Sequence, residues 1–394
     1  MRLKLSIANR IASVADGVLR IGGTRLHHYI VQALYSRLRG DYVRDDLKIE
    51  MFTPSYVQPD ISDRPMVERI YAAFQKAKYD QKSKDAVFMP STLWQKVLDS
   101  CYMKYPDVTI DQFHFFLSNF GAQEKHIGIT WTHLLSQYAK TLKSRKYFER
   151  MIIGQKIGWW LKFESNGRDL SVLSHPRHGN LWGAIVNDSF VSYESVLNEF
   201  YGRMISNFVK KDRPVVGEVG AGYGVLFYFI ARAFSEFCYL DFDLPETLCC
   251  ATYYLMKSFP QERFLLYGEG KLNEDAIKEY DFILMPSYVI KDLPNDSIDI
   301  FVNMSSLGEM KSETCRVFIR EICRTAQAFW HMNHECDRQD RQEVDASLLN
   351  SEYPVLEYNF DLVIRYIDAL NAVWKGTFDK DYDIYGYYYK RRPI

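Results

Sequence analysis

Residues 218–224 read Glu-Val-Gly-Ala-Gly-Tyr-Gly. Three glycines alternate, and an acid stands two positions before the first. A short apolar run, Val215–Val219, leads in, and a helical pattern, Val225–Phe234, leads out. A strand, a glycine turn and a helix in that order make a cradle for a nucleotide-type cofactor. Glycine lets the backbone approach the ligand, and the helix N-terminus presents free N–H groups. The next apolar run ends in Tyr239-Leu240-Asp241-Phe242-Asp243-Leu244-Pro245. An acid roughly 20 positions after such a loop can accept hydrogen bonds from a ribose. Asp241 and Asp243 both qualify.

The glycine spacing separates two cofactor classes. The dinucleotide fingerprint is GxGxxG/A. With Gly220 and Gly222 as its first two glycines, the third position falls on Val225. That disfavours a NAD-dependent oxidoreductase. The spacing instead resembles the E/D-x-G-x-G-x-G loop of S-adenosylmethionine (SAM) methyltransferases. Asp243-Leu244-Pro245 resembles the matching turn of small-molecule O-methyltransferases, whose Asp binds the ribose hydroxyls. The resemblance favours Asp243 over Asp241. It implies a cofactor set of Glu218, Gly220, Ala221, Gly222, Gly224, Asp243 and Leu244. Pro286 and Ser287, after the third candidate strand, would line the adenine, and Asn303 would face the methionine part.

Further elements resemble the sugar O-methyltransferase family of bacterial surface-glycan gene clusters. They are Pro90-Ser91-Thr92-Leu93-Trp94, Asn119-Phe120-Gly121, Gly179-Asn180 and Ser306-Leu307-Gly308-Glu309-Met310, in that order. Together they cover residues from about 90 to 335. Leu181 departs from the pattern, where Pro is expected. The resemblance implies transfer of a methyl group from SAM to a hydroxyl of a sugar or glycan precursor, leaving S-adenosylhomocysteine.

Such a transfer needs an acceptor oxygen held against the methyl group and one proton removed. In a doubly wound sheet this happens outside the C-terminal ends of the strands. Glu309 follows the fourth strand, and His331 and His334 follow the fifth, as candidate bases. A histidine titrating near neutrality suits proton removal, and His334 lies nearer the expected strand end. Ser305, Ser306 and Asn333 are candidate acceptor contacts, as are His178, Asn180 and Trp182 in the preceding loop, beside His175. A tryptophan ring can cover the apolar face of a sugar. His331-x-x-His334-x-Cys336-Asp337 is too weak a spacing to predict a metal.

The elements that must position these groups fall into two halves. The 394 residues exceed the roughly 250–300 at which one core stops growing, so two domains are expected. Residues 1–190 read as a helical N-terminal domain, with helical segments at 66–78, 109–120 and 129–162. Ser91 is a plausible N-cap for a helix starting at Thr92. Gly167, Pro176, Gly179, Asn180 and Gly183 mark 165–192 as an irregular hinge. Residues 191–394 read as an α/β Rossmann-like domain, with strands at Val215–Val219, Phe237–Phe242, Phe282–Met285, Ile298–Met304 and Ala328–Met332. Strands alternating with helices imply a parallel sheet covered on both faces. Leu362–Ile367 and Tyr382–Lys390 add two strands, the second a Tyr-rich candidate for an edge.

Composition narrows the function classes. Hydrophobic residues make up 47% and charged residues 25%, the balance of a globular chain. A net charge of −1 gives no global pull toward nucleic acid. Nor does Asn303-Met304-Ser305-Ser306 match the Asn/Asp-Pro-Pro-aromatic motif of nucleic-acid amino-methyltransferases. Seven cysteines without a CxxC pair suit a reducing cytosol. The first 44 residues are basic and amphipathic, which leaves open contact with an anionic membrane at its inner surface or between copies of the chain. A phenolic or polyketide-like acceptor, or a non-catalytic glycan-assembly module of the same fold, are the competing readings.

Overall fold

A computed structural model describes residues 47–52, 55–101, 104, 106–122, 142–335, 347–368, 370 and 384–393. The basic stretch 1–44, residues 129–141 and Cys336-Asp337 lie outside the described residues.

The second half is built on an eight-stranded sheet. In chain order its strands are β4 (Val215–Val219), β5 (Cys238–Asp243), β6 (Phe264–Leu266), β7 (Phe282–Pro286), β8 (Ile300–Met304), β9 (Ala328–His334), β10 (Phe360–Ile367) and β11 (Ile384–Arg391). Their spatial order is β10-β11-β9-β8-β4-β5-β7-β6. The six from β9 to β6 are parallel, and β11 runs antiparallel between β9 and β10. The chain moves outward from β4 to β5, then returns to place β8 on the other side of β4. That reversal opens a crevice outside the C-terminal ends of β4 and β8, where open α/β sheets bind ligands.

Every residue of β4 is buried, as expected of a parallel strand covered on both faces. The alternation sorts the core into two layers. Val216, Tyr239, Leu284, Val302 and Trp330 face one side. Helices α5 (Ser195–Phe208), α6 (Val225–Ala231) and α7 (Pro245–Ser258) cover it. Leu240, Phe242, Ile283, Phe301 and Phe329 face the other side, against α9 (Ser312–Thr325). A short helix, α8 (Glu274–Glu279), precedes β7.

The first half supplies α1 (Arg64–Gln81), α2 (Thr92–Cys101), α3 (Ile110–Asn119) and α4 (Leu142–Phe163). Ser91 caps α2, accepting the Trp94 amide at 3.3 Å. Thr109 and Gln112 close a capping box on α3. Apolar side chains of this half, including Phe74, Phe113, Phe120 and Trp160, are continuous with the first core layer.

Two expectations need correction. The hinge is not uniformly irregular: β2 (Gly183–Val186) and β3 (Ser189–Ser192) form a hairpin that pairs with β1 (Ile49–Phe52). Asn187 and Asp188 both take positive φ, the geometry of a two-residue hairpin turn. The Tyr-rich strand is interior. β11 lies between β9 and β10, with Tyr388 stacked on Phe208 at 3.9 Å and Tyr387 stacked on His331 at 5.2 Å. β10 is the edge, blunted by a bulge between Leu362 and Ile364. Among the described residues no helix is long and apolar enough to cross a membrane.

Candidate active site

The alternating glycines are a backbone requirement. Gly220, Gly222 and Gly224 have φ of 74°, 63° and 83°, in the left-handed region that disfavours other residues. Gly220 is also crowded: a Cβ there would lie 2.3 Å from Ser306 Oγ. The Gly220 amide donates to the Phe242 carbonyl at 3.1 Å, which ties the loop to the end of β5. Gly224 is the N-cap of α6, so this loop opens the helix at the mouth of the crevice. No other residue type holds this path and leaves the backbone bare for a ligand.

Three acids gather beside the loop. Glu218 and Asp241 are neighbours across β4 and β5, and Asp243 lies two residues beyond Asp241 on the same face. Glu218 accepts the Tyr239 hydroxyl at 2.6 Å, and burial raises its pKa to about 7. Asp241 is fully buried, and the backbone amides of Ala221 and Phe242 are the groups that face its carboxylate. Burial first, then Asp243 and Glu218, push it well above the usual carboxylate range. Asp243 accepts the Leu244 amide at 2.7 Å, and burial lifts its pKa to about 6. Asp243, which the resemblance favours, is the more exposed of the two, and Asp241 lies fully buried behind it.

Beyond β8, Ser305 holds a strained φ of 66° and its amide donates to the Met332 carbonyl at 2.8 Å. The residues around it form a closed amide network. Asn303 donates to the Val219 carbonyl at 2.8 Å and to Ser306 Oγ at 2.5 Å. Its oxygen accepts from Asn333 at 2.9 Å, and the Asn333 oxygen accepts the Gly308 amide at 3.1 Å. Asn350 donates to the Asn333 carbonyl at 2.7 Å. Asn303, Ser306 and Asn333, expected at the ligand, all take part in this network. Their polar groups fasten β4, β8 and β9 to one another, and they position the loop from beneath.

The candidate bases separate as well. His334 ends β9, and its ring lies beside Gly308, whose added Cβ would sit 3.5 Å from His334 Cδ2. Glu309 follows Gly308, and its carboxylate accepts the Trp94 indole N–H at 3.0 Å. Glu309 lies on the short turn Leu307–Glu309, and the His334 ring packs beside Gly308 of the same turn. His331 does not reach it. It is fully buried among Phe329, Tyr353, Tyr387 and Tyr389, and burial drives its pKa down to about 3. Three positions apart on a strand, His331 and His334 point to opposite faces. That removes His331 as a base and separates the pair as metal ligands.

The loop preceding the second half behaves as a brace. Gly121 donates to the Gly179 carbonyl at 2.8 Å. Asn180 donates to the Ser55 carbonyl at 2.7 Å and to the Asn119 oxygen at 3.1 Å. Its amide nitrogen is engaged in this joint, where the sequence expects an acceptor contact. Phe120, between these elements, lies 6.0 Å from the ring of Tyr223 in the glycine loop. Trp182 is 8% exposed, so it is not the open stacking surface expected. His178 sits 6.2 Å from Tyr254, which in turn meets Tyr223 at 5.1 Å. Burial lowers the His178 pKa to about 4. His175 is enclosed by Phe190, Tyr228, Phe229 and Tyr254.

Residues passed over in the sequence complete the surroundings. Glu194 accepts the Tyr223 hydroxyl at 3.0 Å, and burial raises its pKa to about 7. Lys156, on α4, donates to the Tyr193 carbonyl at 3.0 Å and stands 3.6 Å over the Tyr193 ring. Burial lowers its pKa to about 8. A lysine inside a helical run carries no motif; only its burial marks it. Pro286 pairs with Asp243 in the β5–β7 register, and Ser287 is buried directly after it.

No protein-family model matches the chain, and no curated protein matches it. Solved structures give fold-level likenesses. A SAM-dependent methyltransferase from Aquifex aeolicus is 15% identical, with 50% of this chain and 92% of that one covered, at a TM-score of 0.33. Magnesium protoporphyrin IX methyltransferase from Synechocystis, solved with S-adenosylhomocysteine, is 11% identical over 50% and 85%, at 0.34. The [4+2]-cyclase SpnF is 12% identical over 52% and 83%, at 0.36. Likeness at this level assigns neither a ligand nor a reaction. The Rossmann-like architecture itself stands on the strand order, the crevice and the glycine turn described above.

Proposed function

We propose that the chain is a SAM-dependent O-methyltransferase acting on a hydroxyl of a sugar or glycan precursor. The observation that carries the cofactor reading is the loop of three left-handed glycines at the sheet's switch point, beside Asp243 and the buried Asp241. The residues fit such a ligand. Gly220–Gly224 would pass against its body, Asp243 and Asp241 would take the ribose hydroxyls, and Ser287 would border the base. Bound there, SAM supplies a methyl group on a sulfonium centre, with a thioether as the leaving group.

The chain's own part is to position the acceptor and take its proton. His334, on the rim beside Gly308, would accept the proton of the acceptor hydroxyl. Glu309 is fixed by Trp94 on the same turn and orients the acceptor or the base. The sugar class rests on the ordered sequence elements. Two of them, Asn119-Phe120-Gly121 and Gly179-Asn180, meet in one joint against Tyr223. A third, Pro90 to Trp94, reaches Glu309 in the fourth.

Calorimetric titration of the full chain with S-adenosylhomocysteine, with NAD as control, tests the cofactor. Micromolar binding of the first and none of the second is expected. Absence of binding to S-adenosylhomocysteine refutes the reading. Transfer of labelled methyl to sugars or glycans, against a panel of phenols, then tests the acceptor class. Labelling confined to phenols overturns the sugar assignment.

A further inference from the structure

Tryptophans stand among the described residues at 94, 159, 160, 182 and 330. Trp159, Trp160, Trp182 and Trp330 are buried. Trp94, in the first turn of α2, packs one side on the core and keeps part of its surface exposed. Two hydrogen bonds fix how it sits. Its amide donates to Ser91 Oγ at 3.3 Å, and its indole N–H donates to Glu309 Oε2 at 3.0 Å. A tryptophan held by its polar edge and open over part of its body is an amphipathic contact surface.

That surface lies on the rim of the crevice. Ser306 caps the short turn Leu307–Glu309. The start of the turn meets the glycine loop, where a Cβ on Gly220 would lie 2.3 Å from Ser306 Oγ. Its middle meets the proposed base, where a Cβ on Gly308 would lie 3.5 Å from the His334 ring. Its last residue, Glu309, meets Trp94. At about 2 Å of rise per residue, the chain advances only about 6 Å from Ser306 to Glu309. The glycine loop, His334 and Trp94 therefore follow one another along a single turn.

A pyranose is amphipathic too. Its hydroxyls lie around the edge of the ring, and its axial C–H bonds make an apolar face. Those hydrogens carry a slight positive charge and are drawn to the negative face of an aromatic ring. A carboxylate at the edge of that ring accepts hydroxyls that point sideways. Trp94 and Glu309 supply both parts of this recognition. Trp182, the tryptophan expected in that role, is 8% exposed.

We propose that Trp94, brought from the helical half, is the platform on which the acceptor sugar stacks, and that Glu309 beside it accepts a hydroxyl of the same ring. The helical half then forms one wall of the acceptor site and favours a pyranose with an uninterrupted C–H face. This deepens the sugar O-methyltransferase reading and rests on it.

The test gives the full chain labelled SAM and a panel of methyl pyranosides, nucleotide-linked sugars and polysaccharides. The sugar labelled best becomes the probe. Trp94→Phe keeps a ring and Trp94→Leu removes it; both lose the donor to Glu309. Both variants should share a fall in kcat. KM for the probe should stay within about threefold of wild type in Trp94→Phe and rise about tenfold in Trp94→Leu, the size of one aromatic stacking contact. Affinity for S-adenosylhomocysteine should match wild type in both, which shows that the fold is intact. Equal KM in the two variants overturns the proposal and leaves the sugar reading standing. If Trp94→Leu fails to fold, fluorine NMR of the otherwise wild-type chain carrying 5-fluorotryptophan decides. The Trp94 signal, assigned by its absence from Trp94→Phe, should shift when the probe saturates the protein; an unmoved signal overturns the proposal. Wild-type protein that labels no sugar overturns the proposal and the sugar reading together.

Discussion

The indole N–H of Trp94 donates a 3.0 Å hydrogen bond to the carboxylate of Glu309, 215 residues further along the chain. One partner starts a helix of the first half; the other closes the turn outside β8. The contact fixes a carboxylate at the crevice from the far side. Trp94→Phe keeps the ring and removes the donor. We expect a fall in methyl-transfer kcat of about tenfold, the size of one such bond, with affinity for S-adenosylhomocysteine unchanged. Equal loss of kcat and cofactor affinity would show that Trp94 serves the cofactor loop.

Gly220 and Ser306 make a second tight pairing. Gly220→Ala adds a Cβ 2.3 Å from Ser306 Oγ at a φ of 74°. The strain is on the order of 1–3 kcal/mol, before the clash is counted. Loss of S-adenosylhomocysteine binding and a lower thermal midpoint are expected. Ser306→Gly placed in the same chain removes the clash but not the φ strain. It should therefore restore the midpoint in part. No recovery would mean that the backbone strain alone sets the loss.

Asp243 gives the cofactor affinity a pH dependence. Burial holds its pKa near about 6 in the free protein. Ribose hydroxyls donate to the ionised carboxylate, so binding favours deprotonation. Affinity should hold above that pH and weaken as pH falls through it, by up to about tenfold per pH unit. Asp243→Asn should bind more weakly and lose this limb. An unchanged limb in the variant would assign the titration to Glu218, whose pKa is raised to about 7.

The parts of this site that are legible in sequence are those where backbone geometry dictates residue type. The left-handed φ values at 220, 222 and 224 demand glycine, so the loop announces itself. Ser91 and Thr109 are visible as caps for the same local reason. What stays hidden is set by register and long-range packing. β1, β2 and β3 have four residues each, too short for a period to emerge, although Asn187-Asp188 is a turn signal. The amides of Asn303 and Asn333 look like ligand groups until their partners on other strands are known. Gln81 and Lys78 lie in an unremarkable helix, and only the fold brings them to Glu246.

The burial of His331 carries a stability prediction. Its folded pKa, about 3, lies below the ordinary value of 6.5. The folded state therefore favours the neutral ring, and the unfolded state takes up the proton first. Stability is fully present above pH about 6.5 and is lost as pH falls toward the folded value. By about pH 4 the loss from this residue alone is roughly 3 kcal/mol. His175 and His178 act with the same sign. Glu194 and Glu218, raised by burial to about 7, act with the opposite sign and lose stability as pH rises from about 4.5. A difference measurement isolates the histidine. His331→Phe places a similar flat ring among Phe329, Tyr387 and Tyr389 without a titrating nitrogen. Denaturant unfolding of both proteins at neutral pH and near pH 4 should show a variant that is comparable at the first and more stable at the second. Methyl transfer should be retained, because the ring lies on the opposite face of β9 from His334. A variant that unfolds in acid as readily as wild type would show that His331 takes up its proton without leaving the folded state.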